Sequence, residues 1–436
     1  MRARLRRFPL VIVLVLVLTA GAVAAVASAA SKSPKRTGAL SGSLTVMENW
    51  TGAEGTAFQA VIDGFKAKNS GVDIKLVQVP FNQTQAQLAQ QFAAGTGPDV
   101  AVALPGIVRD FSKSGLLMNL DDLWSKWISS GQYNRSLRAI AQGSDKHTDS
   151  IIFKGNVNAL VWYEPKVMRK LGLKVPKTWP QFIAGLNKAK KAGATPFEVG
   201  GADQWPLTQW VDPIILRVAG AKAFNALERG QIPWNTPSIV KSFRVLGGLI
   251  KNYWSPNSLS LKFSDEVCAW ANGKVLFDNQ GAFVNLIAPS QCNSKLKPGR
   301  DYSFFLMPKY NAKAPLGQFV SGDLFVGNAH TKNPEAAKAL LTYLGSPAAQ
   351  SIWARRGGYI APNAKVPMSV YPTINDRKAA ALWPKGPKAL AGYDLDDWIG
   401  GEIQVKYRQA LAQFVRDQNV SRFISAMTKI DTRSKS

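Results

Sequence analysis

The chain has 436 residues, 46% of them hydrophobic, and carries 54 Lys and Arg against 28 Asp and Glu, a formal net charge of +26. This length exceeds what one hydrophobic core usually serves, so two domains are expected. Its two cysteines and two histidines form no metal-ligand spacing and no Cys/His nucleophile pair, which argues against metalloenzyme chemistry and predicts no cofactor.

Residues 1–29 predict an export signal. Four arginines precede an apolar run from Phe8 to Leu18, and small residues then offer cleavage after Ala29, with Ala27 as the rival site. Uncut, the segment 8–26 approaches the roughly 20 residues that span a bilayer, so a retained anchor is the alternative. No cysteine lies near it for lipid attachment. We expect an extracytoplasmic protein, in the periplasm or at the outer face of the cytoplasmic membrane.

The mature chain is strongly basic. Without the four leader arginines, 50 basic residues face 28 acidic ones, a net charge of +22. Attraction to a polyanion, or to an acidic saccharide, is one interpretation. Because the lysines spread along the chain without interleaved aromatic residues, a solvated surface is the favoured one, and we expect no nucleic-acid partner.

The first elements alternate strand and helix. Ser43–Trp50 predicts a strand, and Phe58, Val61, Ile62 and Phe65 then share one helical face. A strand at 72–79, a helix at 83–94 and a strand at 100–104 follow, which indicates a parallel sheet. Ligands bind beyond the carboxyl ends of such strands, so Trp50-Thr51 and Leu104-Pro105 are expected to face one.

A second unit begins within the apolar run Ile151–Tyr163, and we place a crossing between lobes near Gly155. Proline precedes the helical pattern Phe182–Ala192. Later segments predict strands at 303–307 and 319–326, helices starting at Pro334 and Pro347, and one closing helical segment, Glu402–Lys429.

Trp205 and Trp210 are the strongest candidates for ligand contacts, since proline opens a helix beside them and flat aromatic faces bind pyranose rings. Each tryptophan could instead fill a core. Asp212, before Pro213, is interpreted as a helix cap. Asp323 follows a glycine and is better placed to reach a cleft, although a turn aspartate is the alternative.

Cys268 and Cys292 are a natural disulfide pair in an oxidising compartment, but two separately buried thiols remain possible because sequence does not give the Cα separation. Glu48, Glu54 and Glu266 could in principle serve a hydrolase. No carboxylate pair, Ser/His arrangement or phosphate-binding glycine loop rises above chance. A secreted carbohydrate-active hydrolase is therefore the alternative to a non-enzymatic binding protein.

Several stretches together resemble one protein family along nearly the whole mature chain: Phe65–Asn69, Phe92–Val100, Ala159–Tyr163 and Lys332–Ala337. They are similar to the extracellular solute-binding proteins of sugar ABC importers, in the maltose-binding-like group and especially its α-glucoside-binding relatives. The resemblance implies an α/β fold of the periplasmic-binding-protein-like type II, with two α/β lobes, a hinge and a ligand cleft between the lobes. The expected lobes are 43–154 with 322–362, and 155–321 with 363–436.

The same resemblance implies site residues. Gln280 would bond sugar hydroxyls, and Phe283 stands where relatives often have tryptophan, which weakens the expected stacking. Trp205 to Trp210 and Asp323 match segments used by α-glucoside binders, whereas Trp50 and Asn158 match cleft positions approximately. The implied partners are a carbohydrate and the permease subunits of an ABC importer, with the binding protein itself a monomer.

Overall fold

The computed structural model describes residues 40–312, 319–383 and 392–435, so the predicted signal segment lies outside the described residues. Its strands are β1 Ser41–Glu48, β2 Gly71–Gln78, β3 Val100–Ala103, β4 Ser150–Val157, β5 Leu160–Tyr163, β6 Thr195–Phe197, β7 Val275–Gln280, β8 Ser303–Leu306 and β9 Val320–Gly327.

The helices fill the intervals between these strands. They are α1 Gly52–Lys66, α2 Phe81–Ala93, α3 Pro105–Lys113, α4 Asp121–Ser129, α5 Arg135–Ala141, α6 Pro165–Lys170, α7 Trp179–Lys191, α8 Trp205–Val218, α9 Ala221–Glu228, α10 Pro237–Tyr253, α11 Phe263–Ala271, α12 Val284–Ile287, α13 Pro334–Leu344, α14 Pro347–Ala354, α15 Ile374–Leu382, α16 Leu395–Ile399, α17 Gly401–Asp417 and α18 Val420–Ile430. Within the described ranges, no helix is both long and apolar enough to cross a bilayer.

Two sheets organise the chain. The first has the order β2-β1-β3-β9-β4, in which β1 is parallel to β2 and β3 while β9 runs antiparallel to β3 and β4. The parallel pairing predicted for the first three strands is confirmed. The second sheet has the order β6-β7-β5-β8, with β5 antiparallel to β7 and β8.

The chain passes from the first sheet to the second between β4 and β5, and back between β8 and β9. Ala159 makes the first passage with a left-handed φ of 53°, which a non-glycine residue adopts only where its surroundings hold it. The second passage brings Ser321 and Asp323 back beside β4, because Asp323 pairs with Lys154 across the ladder. Both passages therefore place polar residues next to the carboxyl end of β4.

Two hydrophobic clusters support the sheets. The first contains the predicted buried face of α1, and the second contains Phe182, Leu186 and Trp210. Leu395 and buried apolar side chains of α17 and α18 pack in the second cluster. Six buried side chains that the structure describes from 366 to 393 pack in the first: Val366, Tyr371, Ala379, Ala380, Trp383 and Tyr393.

Two sequence expectations about helices were wrong. The closing segment is not continuous, because Gln418 takes a left-handed φ of 48° and ends α17 before Asn419 caps α18. Asp212 is not a cap, since α8 runs on through Pro213 and the Asp212 carboxylate instead accepts the backbone N–H of Leu395 at 2.9 Å.

Candidate functional site

A cavity of about 310 Å³ lies between the first sheet and a group of helix starts that face it. One wall consists of residues beyond the carboxyl ends of β1 and β2 together with side chains of β4 and β9. The opposite wall consists of the first turns of α8, α11 and α16 and the segment after β7. The lining residues are Asn49, Trp50, Thr51, Glu54, Pro80, Phe81, Lys154, Asn156, Asn158, Asp203, Trp205, Thr208, Gln209, Phe263, Phe283, Ser321, Gly322, Asp323, Asp394, Asp396 and Asp397.

A cluster of aromatic side chains, centred on Trp205, forms one part of this lining. The Trp205 ring centroid lies 4.8 Å from that of Phe263, 5.9 Å from that of Phe81 and 6.2 Å from that of Phe283. Trp205 is the first residue of α8, where Pro206 is pre-organised for the helix start, and its side chain stays partly exposed. The result is a flat aromatic surface that is open to the cavity.

Gly281 permits this surface to approach the polar wall. A Cβ at this position would collide with the side chains of Asn156 and Phe283. The absence of a side chain therefore lets Phe283 and the amide of Asn156 lie side by side.

A buried lysine, Lys154, lies on the wall that faces Trp205. Lys154 is 4% exposed, and its Nζ lies 2.6 Å from Glu54 Oε1 and 3.9 Å from Asp323 Oδ2. The same ammonium lies 5.6 Å from the ring centroid of Trp50 and 5.9 Å from that of Phe283. Burial raises the pKa of Asp323 to about 6, and the positive charge of Lys154 opposes that rise.

An amide and carboxylate network crosses the cavity floor. Asn158 Nδ2 donates to Ser321 Oγ at 2.9 Å and to Asp394 Oδ2 at 3.0 Å, and Gln209 Nε2 donates to the same oxygen at 3.0 Å. Asn158 and Ser321 come from the first-sheet side and Gln209 from α8. The network therefore joins the two walls.

Two amides of the lining retain unused hydrogen-bonding capacity. Asn49 is 6% exposed, and among the described residues neither its Oδ1 nor its Nδ2 has a hydrogen-bond partner. Gln209 Oε1 likewise has no partner within the described ranges. Buried polar atoms normally find partners, so these atoms indicate positions where a polar ligand supplies them.

Asp394, Asp396 and Asp397 form an acidic group at the start of α16, with carboxylate oxygens within 4.8 Å of one another. Arg408 Nε donates to both oxygens of Asp396, at 3.0 and 2.9 Å, and Asp394 Oδ1 accepts the backbone N–H of Asp396 at 3.1 Å. Burial raises the pKa of Asp394 to about 6, and the neighbouring Asp396 adds to the rise. Because two of the three carboxylates already accept protein hydrogen bonds, the group is poorly prepared for a metal ion. Asp397 lines the cavity together with the other two.

The sequence-predicted residues divide into two sets. The structure brings Trp205, Phe283, Asp323, Trp50 and Asn158 to the cavity. Of the two loop positions expected beyond the parallel strands, Trp50-Thr51 lines the cavity, and Leu104-Pro105 does not.

Trp210 and Gln280, which were predicted as ligand contacts, lie elsewhere. Trp210 is wholly buried in the second cluster, with its ring 4.6 Å from Phe197. Five residues along a helix turn the side chain by about 140°, so Trp205 and Trp210 face different sides of α8. Gln280 is also wholly buried, and its Nε2 donates to Glu266 Oε1 at 3.0 Å instead of facing the cavity.

Sequence reasoning missed several lining residues. Asn49 is a polar residue near the end of the predicted first strand, and Lys154 interrupts an apolar run, so both positions could have been recognised from the sequence. Phe263 and Asp397 could not have been recognised, because each lies in the first turn of a helix far along the chain and joins the cavity only through tertiary packing.

Cys268 and Cys292 are joined by a disulfide in the structure, with their Cα atoms 4.9 Å apart. The bond connects α11, which begins at Phe263, to the segment that follows Phe283 and α12. It therefore ties together two segments that carry the aromatic wall.

The chain is similar to known proteins over most of its length. Residues 49–351 match the family described as bacterial extracellular solute-binding proteins. The α-glucosides-binding periplasmic protein AglE of Rhizobium meliloti is 28% identical over 347 residues, which are 76% of this chain and 74% of AglE. The osmoprotective compounds-binding protein GgtB of Synechocystis is 25% identical over 71% of this chain and 74% of GgtB.

A solved structure, that of the bacterial solute receptor AcbH, superposes with a TM-score of 0.80 at 21% identity. The superposition covers 90% of this chain and 98% of AcbH, whose reported preference is for β-D-galactopyranose. At this identity the likeness shows a shared fold, and the two-lobed α/β type II architecture expected from the sequence is confirmed.

Proposed function

Because this chain belongs to the bacterial extracellular solute-binding proteins, we propose that it is the sugar-binding component of an ABC importer and holds its ligand in the cavity. The observation that carries this proposal is an open aromatic surface, centred on Trp205, beside buried amide atoms that lack partners among the described residues: those of Asn49 on the facing wall and Gln209 Oε1 on α8 itself. A pyranose presents an apolar face and a rim of hydroxyl groups, and needs both kinds of surface.

The proposed ligand is a neutral saccharide. Among the described residues that line the cavity, six are acidic and Lys154 alone is basic, and that lysine is already paired with Glu54. An acidic saccharide would meet like charge there, despite the basic surface of the protein. Carboxylates accept hydrogen bonds from hydroxyl groups and suit a neutral sugar.

The size of the cavity favours a short ligand. A volume of about 310 Å³ lies at the lower end of the roughly 300–1,000 Å³ of typical ligand pockets. We therefore propose a mono- or disaccharide, with an α-glucoside first among the disaccharides because AglE binds α-glucosides. The ligand residues proposed here are Trp205, Phe283, Trp50, Asp323 and Asn158, joined by Asn49, Gln209 and Asp397.

Delivery to a membrane permease is proposed from the family, with hinge closure of two lobes around the sugar as its signal. We propose that 43–154 and 322–362 form one lobe together with 366–383 and 392–393, and that 394–435 belongs to the second lobe. Val366, Trp383 and Tyr393 in the first cluster and Leu395 in the second support this division. We propose a monomer that works outside the cytoplasmic membrane.

A thermal-shift screen of the mature protein against neutral mono- and disaccharides, followed by titration calorimetry, tests the proposal. Ligands that bind only the folded state raise the melting temperature by mass action. We expect stabilisation by an α-glucoside and none by glucuronic acid, with the sugar recovered unchanged. Glycosidic cleavage would support the hydrolase alternative, and no stabilisation by any sugar would contradict the assignment.

A further inference from the structure

The basic residues are less evenly spread along the chain than the sequence analysis assumed. From Lys166 to Lys191, 8 of 26 residues are Lys or Arg, against 54 of 436 in the whole chain, and no Asp or Glu occurs between 165 and 197. All eight side chains are exposed. We call this surface the basic face; its residues are Lys166, Arg169, Lys170, Lys174, Lys177, Lys188, Lys190 and Lys191.

The fold gathers these charges. Lys188 Nζ, on α7, donates at 2.8 Å to the carbonyl of Gly172, which lies in the loop after α6. Lys190 Nζ donates at 2.9 Å to the carbonyl of Asn252 at the end of α10, next to the exposed Lys251. The loop between α6 and α7 and the last turns of α7 and α10 therefore form one surface. Acidic groups lie at its edge, where Glu164 precedes α6 and interacts electrostatically with Lys166 and Asp301.

Exposed apolar side chains accompany the charges. Val175 is 39% exposed and Tyr310 37% exposed, which makes them two of only four large hydrophobic residues with such exposure in the described parts of the chain. The Trp179 ring lies 5.3 Å from that of Tyr310, and Lys241 Nζ lies 5.3 Å from the centroid of Tyr310. A surface that only needed solvation would not require Val175 and Tyr310 there.

We propose that the basic face docks this protein on an anionic phospholipid surface. Lys and Arg near such a surface bind the headgroup phosphates, and tyrosine, tryptophan and aliphatic side chains enter the interface between headgroups and acyl chains. A soluble polyanion would use the charges but would have no need of the apolar residues. Charge complementarity therefore favours the bilayer together with two exposed apolar side chains: Val175 in the loop between α6 and α7, and Tyr310 beside Trp179 at the start of α7.

Docking through this face is compatible with ligand capture. None of the eight basic residues, and neither Val175 nor Tyr310, lines the sugar cavity. Docking through these residues therefore does not use the side chains that line the cavity. The inference is independent of the identity of the sugar.

Co-sedimentation of the mature protein with vesicles tests the proposal, using equal parts phosphatidylglycerol and phosphatidylcholine against phosphatidylcholine alone. We expect binding to the anionic vesicles only, weakening as salt is raised. Each basic residue near an anionic bilayer strengthens binding roughly fivefold. Replacing Lys166, Lys170, Lys174 and Lys191 by glutamine should therefore reduce partitioning by a factor on the order of several hundred.

A matched control separates the basic face from the overall charge. Lys66, Lys68, Lys75 and Lys338 are exposed and lie on α1, the turn after it, β2 and α13. Replacing these four by glutamine removes the same net charge and should leave most vesicle binding intact. Equal loss in both quadruple variants, or no binding of the unaltered protein at physiological salt, would overturn the proposal.

A second pair of variants distinguishes the bilayer from a soluble polyanion. Val175→Ser with Tyr310→Ser should weaken vesicle binding but leave retention on heparin unchanged. If the double variant binds vesicles as well as the unaltered protein does, the surface recognises polyanions in general and the lipid assignment is wrong. Sugar affinity, measured on every variant, should not change, which separates this outcome from any failure of the sugar assignment.

Discussion

Replacing Trp205 by alanine is expected to weaken saccharide binding about 30- to 150-fold while the protein stays folded. The indole contacts Phe81, Phe263 and Phe283 and exposes its remaining surface to the cavity. Truncating a central aromatic residue of a binding site typically costs about 2–3 kcal/mol, which gives that range of Kd. Because Trp205 is partly exposed and begins a helix, its loss should lower the free energy of unfolding by only about 1–2 kcal/mol.

Trp210→Phe is the matched control, five residues along the same helix. Trp210 is wholly buried against Phe197 and Trp254, and its Nε1 has no hydrogen-bond partner among the described residues. Phenylalanine therefore removes packing but no hydrogen bond, and should lower the free energy of unfolding by about 1–2 kcal/mol. Saccharide affinity should be unchanged.

Titration calorimetry on the unaltered protein and both variants gives the affinities, and urea unfolding gives the stabilities. The reasoning would be refuted if Trp205→Ala kept its affinity, or if Trp210→Phe lost as much affinity as Trp205→Ala. The second result would mean that the integrity of α8, and not the exposed indole, controls binding.

Three further predictions concern stability and the cavity wall. Lys154→Met should lower the free energy of unfolding by about 3 kcal/mol at neutral pH, because it removes the cation next to the partly buried carboxylates of Glu54 and Asp323. Urea titrations should show a smaller loss at pH 5, where Asp323, with its pKa of about 6, becomes protonated. Burial raises the pKa of Glu228 from 4.5 to about 7, so its contribution is full below pH 4.5 and declines as the pH rises through 7. Glu228→Gln should therefore remove about 3 kcal/mol of pH dependence, and an unchanged profile of melting temperature against pH would contradict this. Replacing Cys268 and Cys292 by serine opens a loop with a sequence separation of 24 and should lower the free energy of unfolding by about 3 kcal/mol. Calorimetry on this double variant should also show weaker sugar binding. Unchanged sugar affinity would mean that the aromatic wall does not depend on the disulfide.

The first strands and helices were predictable because their apolar spacing is local. The face of α1 formed by Phe58, Val61, Ile62 and Phe65 recurs with helical periodicity, and the parallel pairing of β1 with its neighbours follows from alternation of strand and helix. The break at Gln418 was not predictable, since neither glycine nor proline marks it and tertiary packing holds the left-handed turn.

The site was only partly predictable from local sequence. Trp205 stands beside the proline that opens α8, which marks a chain turn at the cavity edge. Asp323 follows a glycine but lies within β9, paired with Lys154, and not in a turn. Trp210 shares a motif with Trp205 but not a helix face, so proximity in sequence misled the prediction. Asp397 reaches the cavity only because 394–399 packs between α3 and α8, and such long-range placement has no sequence signature.

A crystal structure of the mature protein with its tightest-binding neutral saccharide tests the central claim most directly. The account predicts a pyranose ring lying against Trp205 and Phe283, with hydroxyl groups bonded to Asn49, Gln209 and Asp397. A saccharide bound at another surface, or one held in the cavity without contact to Trp205, would contradict it.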